Sequence, residues 1–382
     1  MADENMPFAA EGFSRLGEVR LVPGRELGPA DIEDCDILAI RSVTRVDENL
    51  LGRSRVRFVG TATIGVDHVD TEYLTRRGVG FASASGCNAV SVAEYLVAAF
   101  FVLADRLDLR LADKSIGVIG AGNVGSRVAV RAEALGMRVI LNDPPLKDKT
   151  GDLCYRPLEE AVAADIVTLH VPLDRGGPYP TWQMVDSRFI DSLKPGAILI
   201  NTSRGSVVDT AALEAGLESG KVAASVLDVW ENEPRISLHA LRSAQVATPH
   251  IAGYSFDGKA RGTWMVYRAA CRYFGLEPDW DPGALLPAPV PERLRPGAES
   301  SARDTQAALG ELVAASYDIL ADDSRLRAIE NVPETERGKY FDRLRREYPV
   351  RREFFSRTVE LAPGRSGLGP VLEGLGFKVE VN

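Results

Sequence analysis

At 382 residues the chain exceeds what one hydrophobic core usually organises, so two or three domains are expected. Its composition, 45% hydrophobic and 26% charged without a low-complexity tract, excludes a disordered protein. A formal charge of −9 argues against nucleic acid or an anionic membrane as partner, since both are bound mainly through Lys and Arg.

The opening Met1-Ala2-Asp3-Glu4-Asn5-Met6-Pro7 has neither the basic end nor the apolar stretch of a secretory signal. The longest apolar run, Tyr95 to Ala104, is about half the roughly 20 residues that a membrane-spanning helix needs, so a cytoplasmic protein is expected. Cys35, Cys87, Cys154 and Cys271 are widely separated, form no zinc-like spacing and are read as reduced thiols.

Val19–Val22, Ile37–Ile40, Val56–Gly60 and Val79–Ala82 read as strands with helical patterns and turns between them, the rhythm of a parallel sheet. Asn88 to Arg106 is almost continuously apolar and alanine-rich, which predicts a helix buried on most of its circumference and suited to an interface between domains or subunits. A second series follows: Ser115–Ile119, Arg138–Asn142, Ile166–His170, Ala197–Asn201, Ala224–Asp228 and Val246–Thr248. Six such strands make a complete doubly wound dinucleotide-binding sheet.

Near Glu277 the composition changes, and Pro278, Pro282, Pro287, Pro289, Pro291 and Pro296 predict an extended linker. Beyond it, Leu309, Leu312, Val313, Ser316, Tyr317 and Leu320 share one helical face and Tyr340, Phe341 and Leu344 another. Thr358–Leu361 and Phe377–Val381 read as strands, so the C-terminus is expected to be a separate α+β unit.

Gly120-Ala121-Gly122-Asn123-Val124-Gly125 stands directly between a strand and the helix starting at Ser126. Gly120 permits the tight turn, Gly122 lets the backbone approach a pyrophosphate, and Gly125 allows close helix–strand packing. The free N–H groups of the helix start favour the anion. Asp143, at the end of the next strand, is placed to accept hydrogen bonds from the adenosine ribose, and its charge would repel the 2′-phosphate of NADP. NAD is therefore the expected cofactor.

Three candidates for chemistry follow on three strand-end loops: Arg204 in Asn201-Thr202-Ser203-Arg204-Gly205, Glu233 in Asp228-Val229-Trp230-Glu231-Asn232-Glu233-Pro234, and His250 in Thr248-Pro249-His250-Ile251-Ala252-Gly253. Ligands bind at the carboxyl ends of strands in open α/β sheets. This order of Arg, Glu and His behind the glycine motif resembles the D-isomer-specific 2-hydroxyacid dehydrogenases. The resemblance implies that His250 is the general base in oxidation, that Glu233 orients the imidazole and favours its protonated form, and that Arg204 fixes the substrate carboxylate and polarises the C2 oxygen. It implies cofactor contacts at Gly120, Gly122, Asn123, Val124, Gly125, Asp143, Val171, Thr202, Ser203, Arg204, Asp228 and Gly253, with Asp228 near the nicotinamide end.

Further strings resemble a branch of that family acting on a phosphorylated polyhydroxy acid: Arg41-Ser42-Val43-Thr44, Gly60-Thr61-Ala62-Thr63, Asp67-His68-Val69-Asp70, Gly86-Cys87-Asn88-Ala89, Asp143-Pro144-Pro145, His250-Ile251-Ala252-Gly253-Tyr254 and Gly258-Lys259-Ala260-Arg261-Gly262. By that likeness Ser42, Thr63 and Tyr254 hold substrate, the reaction belongs to vitamin B6 biosynthesis, and the C-terminal unit makes a homodimer. It also implies a flavodoxin-like substrate domain of residues 1–87 and 252–281, an inserted NAD domain of 88–251, and a dimerisation domain of 282–382. Arg41 is open between a grip on the phosphate and a loop cation in solvent.

Asp67, His68 and Asp70 look like metal ligands, but they fall at a helix start where Asp caps the backbone, and no metal is expected. Cys87 is expected to pack near the ligand, and the basic run Arg343, Arg345, Arg346, Arg351 and Arg352 to be a solvated or subunit-facing surface. The strand that opens relatives is expected to be missing or nearly so, because only Met1 and Ala2 precede Asp3. Two alternatives stay open: a dehydrogenase of 3-phosphoglycerate, and a corepressor that senses NADH without catalysis.

Overall fold

The computed structural model describes residues 1–297 and 305–382, in two compact units: Met1–Ala89 with Tyr254–Ala288, and Val90–Gly253 with Pro289–Asn382.

The first unit holds five parallel strands, Ala2–Asp3 (β1), Leu21–Val22 (β2), Ile37–Ile40 (β3), Phe58–Thr61 (β4) and Gly80–Ser83 (β5), in the order β2-β1-β3-β4-β5. That is the flavodoxin-like order. Successive side chains of a strand serve opposite faces. Ala39 and Phe58 join the core with Val266, Tyr267, Ala270 and Cys271 of the helix Phe256–Phe274, whereas Leu38, Ile40 and Val59 join Ile32, Leu51 and Leu74. Cover on both faces is why these strands read as unbroken apolar runs.

The opening strand, expected to be missing or nearly so, is present in short form. It is two residues long and interior: Ala2 is paired with Leu21 on one side and Ala39 on the other. Asp70 accepts the N–H of Tyr73 at 2.8 Å and caps the helix Thr71–Arg77, and His68 Nε2 lies 3.1 Å from Thr61 Oγ1.

In the second unit Ser115–Ile119 (β6), Arg138–Asn142 (β7), Ile166–Leu169 (β8), Ala197–Asn201 (β9), Val222–Leu227 (β10) and Val246–Ala247 (β11) form a parallel sheet ordered β11-β10-β9-β8-β6-β7. The winding direction reverses beside β6, which opens a crevice at the end of the strand that carries the glycine motif. β8, β10 and β11 each stop one residue sooner than expected, because His170, Asp228 and Thr248 leave the ladder to enter the loops.

The same unit contains a three-stranded parallel sheet of Arg293–Leu294 (β12), Thr358–Leu361 (β13) and Lys378–Val381 (β14). The helical face expected to run from Leu309 to Leu320 is broken. Thr305–Ser316 ends, Asp318 caps Ile319–Arg327 by accepting the N–H of Ala321 at 3.0 Å, and Leu320 is turned outward. Phe341, on the helix Glu334–Arg346, is buried as expected. The basic run is not one surface: Arg343 and Arg346 are exposed, but Arg351 and Arg352 are buried.

Candidate active site

Gly120, Asp143, Val171, Thr202–Arg204, Asp228 and Gly253 all lie beyond the carboxyl ends of the six strands of one parallel sheet, and so along one edge. Gly120 has φ +89°, and a Cβ there would meet the His170 carbonyl at 2.7 Å. A Cβ on Gly125 would collide with the Gly120 carbonyl oxygen, whereas one on Gly122 meets nothing within 4 Å. Two glycines therefore close the turn and the middle one leaves its backbone open to a ligand.

The helix Gly125–Ala134 has no side-chain cap at its N-terminus, which suits an anion there. Asp143 accepts the Ala121 N–H at 2.8 Å through Oδ2 and the Leu146 N–H at 2.9 Å through Oδ1. Each oxygen keeps a lone pair for a ribose hydroxyl. These residues fit a dinucleotide.

His170 is a neighbour that sequence reasoning left as a strand end. Its Nε2 lies 3.0 Å from Thr168 Oγ1 and its Nδ1 3.5 Å from Thr202 Oγ1. Burial pushes its imidazole down to about 3.

The three chemical loops are fastened to one another. Asn201 Oδ1 accepts from the Ser203 N–H and hydroxyl, and its Nδ2 donates to the Arg204 carbonyl at 3.0 Å, shaping the turn that presents Arg204. Gly205 packs against Trp230, where any Cβ would collide with the Trp230 carbonyl. The Trp230 indole N–H donates to the Thr248 carbonyl at 2.9 Å, reaching the loop of His250.

His250 Nδ1 and Glu233 Oε1 are 2.5 Å apart. A carboxylate can only accept, so Nδ1 carries the proton and Nε2 is left for a reacting group. Burial raises the Glu233 carboxyl, but the His250 charge and hydrogen bond outweigh it and hold the group below the usual carboxylate range.

Asp228 is buried, and burial raises its carboxyl. Its oxygens accept from Thr248 Oγ1 at 2.6 Å, Ile251 N–H at 2.8 Å and Ala252 N–H at 2.9 Å, while its carbonyl accepts the His250 N–H at 2.6 Å. Expected near the nicotinamide, Asp228 has the immediate task of folding the loop of His250.

Ser42, Thr63 and Tyr254 belong to the other unit. Ser42 and Thr63 follow the paired strands β3 and β4 and so share an edge. Thr63 Oγ1 lies 2.7 Å from Thr61 Oγ1 and donates to the Gly65 carbonyl at 3.2 Å. Tyr254 precedes the helix Phe256–Phe274, with Lys259 Nζ 4.4 Å from its ring centre. Arg41 Nε donates to Asp3 Oδ1 at 3.0 Å, so it is an ion-paired loop residue rather than a solvated cation. Cys87 is buried in that unit's core, and its carbonyl accepts from Arg261.

Residues 99–252 match the NAD-binding domain of the D-isomer-specific 2-hydroxyacid dehydrogenases, and residues 285–373 match a domain of unknown function, DUF3410. The chain is 44% identical to erythronate-4-phosphate dehydrogenase of Hahella chejuensis over 379 residues, 99% of this chain and 98% of that protein. It is 46% identical to the enzyme of the same name from Cronobacter sakazakii over 378 residues, 99% and 97% of the two chains. Among solved structures, D-lactate dehydrogenase from Aquifex aeolicus complexed with NAD and lactic acid aligns with TM-score 0.54 and 25% identity, covering 71% of this chain and 93% of that one. The TT0316 protein from Thermus thermophilus aligns with TM-score 0.60 and 28% identity, covering 73% and 97%.

Proposed function

The chain belongs to the erythronate-4-phosphate dehydrogenase family, among the D-isomer-specific 2-hydroxyacid dehydrogenases, and from that premise we propose that this NAD-dependent oxidoreductase oxidises 4-phospho-D-erythronate at C2. The product is 2-oxo-3-hydroxy-4-phosphobutanoate, and the step belongs to vitamin B6 biosynthesis. The observation that carries the reading is the His250–Glu233 pair, 2.5 Å apart, on the same carboxyl edge of the sheet as the glycine turn. NAD, when bound, supplies the hydride acceptor.

His250 Nε2 takes the proton from the C2 hydroxyl and returns it in the reverse direction. Glu233 holds Nδ1–H and so keeps Nε2 aimed and basic, favouring the imidazolium that forms. Arg204 binds the substrate carboxylate and draws charge onto the C2 oxygen. Gly120, Gly122, Asn123, Val124 and Gly125 cradle the pyrophosphate, and Asp143 takes the adenosine ribose. Val171, Thr202, Ser203, Asp228 and Gly253 complete the cofactor wall.

Ser42, Thr63 and Tyr254 hold the polyol phosphate through hydroxyl groups. Residues 282–382 form a dimerisation domain of a cytoplasmic homodimer, residues 1–87 and 252–281 the substrate domain, and 88–251 the NAD domain. No described helix is long and apolar enough to cross a membrane.

The purified protein, given NAD with 4-phospho-D-erythronate or 3-phospho-D-glycerate, is expected to form NADH with a kcat/KM more than about tenfold higher for the former. Faster oxidation of 3-phospho-D-glycerate, or NADH binding without turnover of either compound, would overturn the reading.

A further inference from the structure

The loop that carries His250 is held from behind by residues 76 and 99 positions away in sequence. Arg351 is buried, and one guanidinium nitrogen, Nη2, donates to the Ala252 carbonyl at 2.7 Å and to the Ser91 carbonyl at 2.9 Å. Both backbone polar groups of Ala252 are thus taken: its N–H by Asp228 and its carbonyl by Arg351.

At the other end of the loop, buried Asp323 accepts the Ala247 N–H at 2.7 Å, and Arg327 ties Asp323 to the carbonyls of Leu241 and Ala244. Between these anchors Tyr95 OH lies 2.7 Å from Thr248 Oγ1, which itself donates to Asp228.

The Arg351 side chain is itself positioned. Its guanidinium carbon stands 4.3 Å over the Tyr317 ring, and Tyr317 and Tyr348 both donate to Asp322. The neighbouring segment runs along the long helix Ala89–Arg106, with Ser91 Oγ donating to Glu353 and the Phe354 N–H to Glu94. His250 needs such support. It sits at φ 57°, a conformation that side-chain-bearing residues keep only where their surroundings over-determine it.

We propose that Arg351 is a positioning residue for catalysis: by holding the Ala252 carbonyl it keeps the His250 loop in the geometry that pairs Nδ1 with Glu233. The C-terminal segment, with Asp323 at the far anchor, is by this inference part of the active site's back wall in the same chain. The inference rests on the role assigned above to His250. The acidic groups acting on His250 are Glu233 and Asp228, and Arg345 acts on Glu233. Arg351 works through the backbone instead of through charge on the ring.

The test compares Arg351→Met, Arg351→Lys and Arg293→Met in the full-length protein. Arg293 pairs with Glu360 and Glu380 on the C-terminal sheet and serves as the control for simple destabilisation. Three readouts are taken: kcat and KM, NADH affinity, and the downfield proton resonance of His250 Nδ1–H, assigned by its loss in Glu233→Gln. With four histidines in the chain, the resonance is tractable in protein labelled at histidine nitrogen.

Arg351→Met is expected to lower kcat about tenfold or more, leave KM and the NADH Kd within about threefold, and lose or shift the resonance. Arg351→Lys, which keeps the charge but reaches fewer carbonyls, is expected between Arg351→Met and the wild type. Arg293→Met is expected to lower Tm with kcat and resonance unchanged. Wild-type kcat and resonance in Arg351→Met overturn the inference. If Arg351→Met does not fold, Arg351→Lys decides by the same criteria. If the wild-type protein shows the resonance but does not oxidise 4-phospho-D-erythronate, the substrate reading fails and Arg351 is judged on the resonance alone.

Discussion

His250, the proposed base, stands on a backbone that L-residues avoid, at a cost on the order of 1–2 kcal/mol. The Asp228 carbonyl and carboxylate offset that cost through backbone N–H groups of residues 250 to 252. Glu233 then sets which nitrogen bears the proton. Its carboxyl is held below the ordinary range by His250, so the stability that the carboxylate contributes is present above the carboxyl's unfolded value and is lost as pH falls through the folded one. Glu233→Gln keeps an acceptor but not the charge. It is expected to lower kcat by about 10² to 10³ while NADH still binds, whereas His250→Ala loses hydride transfer altogether. Both are read by steady-state assay with NADH titration alongside, and a variant that lost NADH binding but kept turnover would refute the roles.

Among the elements, the strand-to-helix turn from Ile119 to Ser126 separates two uses of glycine. At Gly125 a Cβ meets backbone that cannot give, so Gly125→Ala is expected to lower Tm by several degrees and to lose NAD together with the fold of the turn. At Gly122 the space is open, so Gly122→Ala is expected to keep the wild-type Tm and weaken NAD about tenfold or more, its methyl standing where, by the proposed role, a pyrophosphate would approach. Thermal melts with NAD titration check both. Equal effects from the two substitutions would show that the glycines do not have separate tasks. The motif was legible in sequence because all its parts are local. The break at Tyr317–Asp318 was not, since the apolar spacing runs through it and only the Asp318 cap reveals two helices.

At the level of the whole molecule, His170 is expected to make the fold acid-sensitive already above the carboxylate range. His170 is held neutral down to about pH 3, while in the unfolded chain it takes a proton near 6.5. The unfolded state therefore binds the extra proton between those values, and stability is lost as pH falls through that window. His170→Gln is expected to lose about 1–2 kcal/mol less than the parent between pH 6.5 and 5, measured by denaturant unfolding. Parallel pH profiles would reject this account.

What the amino-acid order determined alone was whatever rests on neighbours in the chain. The two parallel sheets follow from apolar runs between helical stretches, the cofactor turn from glycine spacing, and the candidates Arg204, Glu233 and His250 from their place just past strands. Tertiary structure alone decided what joins residues far apart. Ala2–Asp3 is an interior strand because Leu21 and Ala39 flank it, and Arg41 is spent on Asp3. Arg351, read from sequence as surface charge, is buried against the loop of His250. A hydrogen bond between residues 99 positions apart leaves no period or spacing in the sequence, because its partners are brought together only when the whole unit packs.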